Sequence, residues 1–266
     1  MAVYTTEQIL QIQHWSDKLF SFRTTRAAGL RFENGQFVML GLQVADRKIV
    51  RAYSIASANY EEHLEFYSIN VPGGALTSRL QHVTPGCPIL VSSKPTGTLV
   101  LRDLRPGKRL FLLATGTGIA PFMSIVKDPL TYETFEQIVM ARGVRLRTDL
   151  AYGDSVLASL RSSDYLGDAV RGQLLDYPCV SREPFRHVGR VTGALESGRL
   201  CNDLNIAPLD PRTDRLMICG NVGMLATTRQ FLDTAGFDIS PQTGVCGDYV
   251  IERAFTDSLE RKSAAA

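Results

Sequence analysis

The chain has 266 residues, enough for one large domain or two of ordinary size. Hydrophobic residues make up 44% and charged residues 21%, which excludes a disordered chain and supplies material for a sizeable core. A formal net charge of +2 argues against a general nucleic-acid binder, which needs a dense basic patch.

From the amino terminus, short strand-like runs (19–24, 36–41, 49–57 and 64–71) are separated or followed by the turn signals Asn34-Gly35, Pro72-Gly73-Gly74 and Pro85-Gly86. That spacing predicts an antiparallel sandwich or barrel, interrupted by one short helix near 76–82. From about Arg109 the pattern changes. Apolar runs at 110–114, 138–141 and 216–219 alternate with stretches of helical character at 119–127, 156–161 and 224–235, which predicts a parallel, doubly wound sheet. The charged segment 103–108, with Pro106-Gly107, falls at the change and reads as a linker.

Six motifs follow one another along these elements. Arg51-Ala52-Tyr53-Ser54 lies in a strand pattern. Residues two apart share a face, so Arg51 and Tyr53 point one way and Ala52 and Ser54 the other. A guanidinium can clamp a pyrophosphate, and a phenol ring can lie on a flat heterocycle. Gly73-Gly74-Ala75-Leu76-Thr77-Ser78 places open backbone N–H groups and hydroxyls before a helix, where an anion can sit. In 112–122 an apolar strand runs into Thr115-Gly116-Thr117-Gly118 and then a helix with Pro121 in its first turn, the place where an open α/β sheet holds a cofactor. Arg145, Ser181-Arg182 and Arg190 follow the next strands, and such a set can hold the 2′-phosphate that separates NADP from NAD. Cys219, in Met217-Ile218-Cys219-Gly220-Asn221-Val222-Gly223, ends a further strand where soft contact with a nicotinamide ring is feasible. Finally, 247–255 is a strand that ends in Ala254 and Phe255, suited to a planar cofactor.

Each motif alone has an ordinary reading beside the functional one: a strand arginine in solvent, a capped glycine turn, solvated charge, a buried thiol, a docked terminal strand. The cysteines (Cys87, Cys179, Cys201, Cys219 and Cys246) form no CxxC pair, so no metal centre is expected. An odd, scattered set fits reduced thiols in the cytoplasm. The first residues lack the pattern of a signal peptide, and no apolar run reaches membrane-spanning length.

Taken in order, these segments resemble the bacterial-type ferredoxin–NADP reductases of the plant-type ferredoxin reductase superfamily. The resemblance runs from about Leu10 to Phe255 and is carried by RAYSIAS (51–57), LEFYSINV (64–71), LTSRLQH (76–82), KPTGTLV (94–100), LLATGTGIAPFMS (112–124), MICG (217–220) and GDYVIERAF (247–255). It implies an antiparallel β-barrel FAD-binding domain over residues 1–104. An α/β parallel-sheet NADP-binding domain with a flavin-covering tail would then occupy 105–266.

By the same resemblance, FAD falls to Arg51 on the pyrophosphate, Tyr53 on the isoalloxazine, and Ala52 and Ser54 beside them. Tyr67, Ser68 and Ile69 line the flavin; Gly74, Ala75, Leu76 and Thr77 hold phosphate; Thr117 touches it at the junction; and Ala254 and Phe255 cover it. NADP(H) falls to Val144, Arg145, Ser181, Arg182, Arg190, Asn221, Val222 and Gly223. The catalytic expectations are Ser54 near flavin N5, Cys219 seating the nicotinamide and Glu252 assisting proton movement. The implied activity takes hydride from NADPH and passes electrons singly to ferredoxin or flavodoxin. The expected protein is a cytoplasmic monomer that meets its carrier transiently, with no membrane or nucleic-acid partner. A reductase subunit serving an oxygenase, and a non-catalytic flavin sensor, are the alternative readings. Three departures stand out: Arg142 where relatives often carry histidine, no proline in Asn221-Val222-Gly223, and an extension over 256–266.

Overall fold

Strand runs that alternate apolar and polar residues bury one face each, and in the first part of the chain they pair antiparallel to do so. The computed structural model describes residues 3–253. Ala254 and Phe255, expected over the flavin, lie outside the described residues. The strands are β1 (Tyr4–His14), β2 (Leu19–Thr24), β3 (Phe37–Val44), β4 (Arg47–Ser54) and β5 (Leu64–Ile69), then helix α1 (Thr77–Leu80) and β6 (Pro88–Ser92). They form one six-stranded sheet in the order β4-β3-β6-β1-β2-β5. Past the two edge strands, Ala56 N donates to Glu65 O at 2.8 Å, so the sheet curls back on itself as a barrel. The curl encloses Phe20, Phe22, Val38, Leu40, Tyr53 and Phe66, and Leu76 and Leu80 of the α1 region close one end.

The apolar runs do not mark β1. Its sequence YTTEQILQIQH buries Glu7 and Ile9 and leaves most of the rest partly or fully exposed, so it joins the barrel by pairing on both sides with β2 and β6 rather than by hydrophobicity.

The second part alternates strand and helix as expected: β7 (Arg109–Thr115), α2 (Ala120–Val126), α3 (Pro129–Thr134), β8 (Gln137–Val144), α4 (Ala151–Arg161), α5 (Gly167–Gln173), β9 (Leu174–Val180), α6 (Val191–Glu196), α7 (Arg199–Asp203), β10 (Asp214–Gly220), α8 (Val222–Thr234) and β11 (Tyr249–Arg253). The sheet is parallel throughout, in the order β11-β10-β7-β8-β9. One face packs on α2 to α5 and the other on α6 to α8, which explains strands buried on both sides.

The segment 103–108 is not a free tether. Asp103 is fully buried, its Oδ1 accepts from Gly244 N at 2.9 Å, and Arg105 N donates to Gly247 O at 2.8 Å. Further bonds cross between the barrel and α2. Asn34 Oδ1 accepts from Ser124 Oγ (2.8 Å) and Asn59 N (2.8 Å), while its Nδ2 donates to Asp128 Oδ2 (2.7 Å). Lys127 Nζ donates to Ala56 O at 3.2 Å. Asn34→Ala removes these three bonds and leaves Ser124 Oγ only Ser57 O as acceptor, at about 1–3 kcal/mol. Urea unfolding should therefore show a lower midpoint with unchanged slope; an unmoved midpoint would deny Asn34 its part in joining the two sheets.

Candidate functional site

In a parallel sheet the residues of one register level project side by side at the same height. At the carboxyl end of this sheet one level reads Glu252, Cys219, Ala114, Arg142 and Pro178, across β11, β10, β7, β8 and β9. The ligand-binding edge of an open α/β sheet is this edge. β7 here gives way to the turn Gly116–Ile119. Gly116 adopts φ 56° with nothing near the position of a Cβ, so its outer side is open, whereas a Cβ on Gly118 would run into Cys219 O. The glycines thus press the turn onto β10 and leave its crest free.

The barrel meets the other end of this row. Thr98 N donates to Glu252 Oε2 (3.1 Å) and Thr98 Oγ1 to Ile251 O (2.9 Å). Gly97, at φ 143°, has no room for a Cβ, which would stand 2.9 Å from Glu252 Oε2. Phe37 bridges Thr96 on one side and pairs with Ser54 on the other. Ser54 and the Cys219–Glu252 pair are in this way brought to one seam. Burial pushes the Glu252 carboxyl up to about 7, against the pull of the Thr98 amide. Cys219 is fully buried, and burial, with Glu252 beside it, raises its thiol well above the ordinary range. Cys219 is therefore held as a neutral thiol.

On β4, Tyr53 turns into the barrel, edge-on to Phe22 and Phe66, with its hydroxyl 3.0 Å from Ser68 Oγ. Arg51 is half-buried and Ala52 exposed. Along β5 the side chains alternate, so Ser68 reaches Tyr53 while Tyr67 points the other way and stacks on Tyr152 of α4 at 4.2 Å; Ile69 pairs with Leu19. At α1, Thr77 is buried and its hydroxyl accepts from Val71 N at 3.1 Å. A Cβ on Gly74 would stand 2.7 Å from that hydroxyl. Leu76 is in the core and Ala75 exposed, so an anion there meets backbone amides.

Beyond β8 and β9, Arg182 N donates to Arg145 O (3.0 Å) and Ser181 Oγ to Val144 O (3.2 Å), which sets the two chain ends side by side. Val180 bridges Val188, and the chain returns through Gly189 to Arg190. Arg145, Arg182 and Arg190 are all exposed and have no ion pair among the described residues. Two further arginines share the place: Arg147 and Arg186 lie over Phe185 at 5.9 and 5.8 Å. Sequence reasoning missed these three residues, although the Arg145-Leu146-Arg147 spacing was a usable signal. It also missed Thr98 and Gly97 inside KPTGTLV. Asn221 caps α8, its Oδ1 accepting from Met224 N at 3.1 Å, and Val222 and Gly223 are exposed beside it.

The residues present fit both expected cofactors. An unneutralised arginine group suits a phosphate, an open glycine crest suits a pyrophosphate, and the Gly74 turn, too tight against Val71 and Thr77 for a Cβ, offers bare backbone. Among the described residues no cluster of metal-ligating side chains occurs, and no helix is long and apolar enough to cross a membrane.

Comparison with known proteins gives the same answer. Residues 8–100 match the oxidoreductase FAD-binding domain family and residues 112–230 the oxidoreductase NAD-binding domain family. The chain is 55% identical over 252 residues to a ferredoxin–NADP reductase of Pseudomonas aeruginosa, covering 95% of this chain and 98% of the relative. It is 46% identical over 250 residues to a flavodoxin/ferredoxin–NADP reductase of Rhodobacter capsulatus, covering 94% and 92%. A crystal structure of a ferredoxin–NADP+ reductase from Neisseria gonorrhoeae with bound FAD and NADP superposes with TM-score 0.85 at 29% identity, over 96% of this chain and all of that one.

The raised carboxyl makes a stability prediction. The folded state holds the Glu252 proton more tightly than the unfolded chain, so this group's contribution is present at low pH and lost as pH rises through about 7. Relative to Glu252→Gln, the wild type should lose unfolding free energy between about pH 5 and about pH 8. Denaturant titrations at several pH values read this directly, and a difference that does not change with pH would remove the shifted proton from Glu252.

Proposed function

The chain belongs to the ferredoxin–NADP reductase family, and on that premise we propose how its residues divide the work. It is an FAD-dependent oxidoreductase that exchanges electrons between NADPH, two at a time as hydride, and ferredoxin or flavodoxin, one at a time. The observation that carries the residue-level reading is the row Glu252–Cys219–Ala114–Arg142, with the barrel seam at one end and the free arginines at the other. Bound FAD supplies the interconversion of two-electron and one-electron exchange; the protein supplies position and electrostatics.

Arg51 and the amides of Gly74 to Leu76 are placed to hold the phosphates of FAD, with Thr77 bracing their turn. Tyr53, Ser54 and Ser68, with Tyr67 and Ile69 behind them, shape the ring site. Thr117 stands at the junction of the two domains, for which we propose the boundary between residues 104 and 105. Ser54 is placed to donate a hydrogen bond at the flavin edge. Cys219 seats the nicotinamide by close packing. Glu252, with a carboxyl that titrates near neutrality, can hold or release a proton at the same seam. Val144 and Asn221 to Gly223 flank the crest of the Gly116 turn, and Arg145, Ser181, Arg182 and Arg190 receive the 2′-phosphate. The near-balanced charge argues against a nucleic-acid partner and the five scattered thiols fit the cytoplasm, while a shuttle that must expose its flavin edge to a carrier works as a monomer.

The arginine assignment has a direct test. Each charge-assisted hydrogen bond contributes about 1.5–3 kcal/mol, so replacing both Arg182 and Arg190 with alanine should cut the NADPH-over-NADH ratio of kcat/KM by about a hundredfold or more. Steady-state assays with both coenzymes measure it, and an unchanged ratio moves the 2′-phosphate elsewhere.

A further inference from the structure

Arg142 stands in the middle of the row, and none of the roles above uses it. The residue is almost wholly buried, 2% exposed. Nε and Nη2 donate to the two oxygens of Asp176 at 2.7 and 2.6 Å, and Nη2 also reaches Asp154 Oδ1 at 2.7 Å. These bonds fix the plane of the guanidinium and balance its charge. Nη1 is buried with no hydrogen-bond partner among the described residues. Buried donors are rarely left unmade, and one aimed into a cleft marks where an acceptor belongs.

Arg142 lines a narrow cleft with Gly116, Ile119, Val144, Asp149 and, from the barrel, Tyr67; Asp149 Oδ2 accepts from Leu146 N at 3.2 Å. Gly116 opens on the cleft in left-handed conformation with nothing within 4 Å of a Cβ position. Gly153 of α4 also faces it: a Cβ there would stand 2.5 Å from Arg142 Nη1 and 2.9 Å from Ile119 Cδ1. The missing side chain keeps the place of Nη1 clear. Arg145, on the 2′-phosphate side, is three residues further along the chain, roughly 10 Å at the rise of a strand. What lies over Arg142 and Gly116 is thus a different part of the dinucleotide from what lies at Arg145.

We propose that Arg142 Nη1 donates a hydrogen bond to an oxygen of the adenosine 5′-phosphate of NADP(H) where the dinucleotide crosses Gly116, so that Arg142 is a further binding residue of this enzyme. The proposal rests on the reading of this cleft as the NADP(H) site. A guanidinium held between two carboxylates is an oriented donor rather than a free cation. It therefore registers the dinucleotide over the sheet, while the exposed arginines supply net attraction.

The test uses the FAD-loaded enzyme and three probes: NADP+, adenosine 2′,5′-bisphosphate, and adenosine 2′-monophosphate, which lacks the 5′-phosphate. Binding is read by difference-spectral or calorimetric titration on wild type, Arg142→Lys and Gly153→Ala. The lysine keeps a positive charge for Asp176 and loses Nη1; the alanine places a methyl group where Nη1 lies. In both variants, affinity for NADP+ and the bisphosphate should fall about tenfold while the monophosphate stays within about twofold. Equal weakening of all three probes, or no change in any, overturns the proposal, and Gly153→Ala carries the test if Arg142→Lys does not fold. A wild type that binds none of the probes overturns the cleft assignment together with the proposal. A wild type that prefers the bisphosphate, with variants that keep the preference, overturns the proposal alone.

Discussion

The backbone amide of Thr98 and the carboxyl of Glu252 make the contact on which the rest of the arrangement depends. With the Thr98 hydroxyl on Ile251 O, this bond lays β11, the edge strand of the parallel sheet, against the barrel. An edge strand is open to pairing, and here the Thr98 contacts hold it against the barrel. Because β11 pairs in register with β10 and β10 with β7, fixing Glu252 also fixes the height of Cys219 and Ala114. The same seam runs through Phe37 to Ser54. Residues from both halves of the chain are in this way held to one geometry by backbone pairing, with little left to side-chain freedom, as a site that must position two large cofactors requires.

Charge is graded along the row. At the β11 end sit a carboxyl that burial holds near neutrality and a thiol that burial holds protonated. At the β8 and β9 end Arg145, Arg182 and Arg190 are exposed and have no carboxylate partner among the described residues. By contrast, half-buried Arg109 is paired with Asp214 at 2.5 Å, and buried Arg142, within the row itself, with Asp176 at 2.6 Å. Free guanidinium groups at one edge and soft groups at the other are the complement of a molecule that is a polyanion at one end and a flat amide-bearing ring at the other, which is the ground of the proposed NADP(H) site.

Much of this was legible in the chain, for physical reasons that differ by element. The parallel strands show as plain apolar runs because both faces are buried, and the glycine turn after β7 shows because close approach to β10 tolerates no Cβ. β1 was hidden because pairing on both flanks replaces hydrophobicity as its support. The segment 103–108 reads as a linker from its charge, yet Asp103 is buried and Arg105, at the surface, is bonded to Asp238 and Asp248. Sequence alternation correctly separated Tyr53 from Ser54. It could not say that Tyr67 would leave the Ser68 side to stack on Tyr152, because that contact joins residues 85 positions apart. The partners of Arg142, on β9 and α4, are invisible for the same reason.

The most direct test of the central claim is an anaerobic titration of the purified protein with NADPH and, separately, with NADH, following the visible flavin spectrum. The account predicts a flavin band that NADPH bleaches readily and NADH poorly. A bound flavin that neither nucleotide reduces, or a protein that neither carries nor accepts flavin, would contradict it.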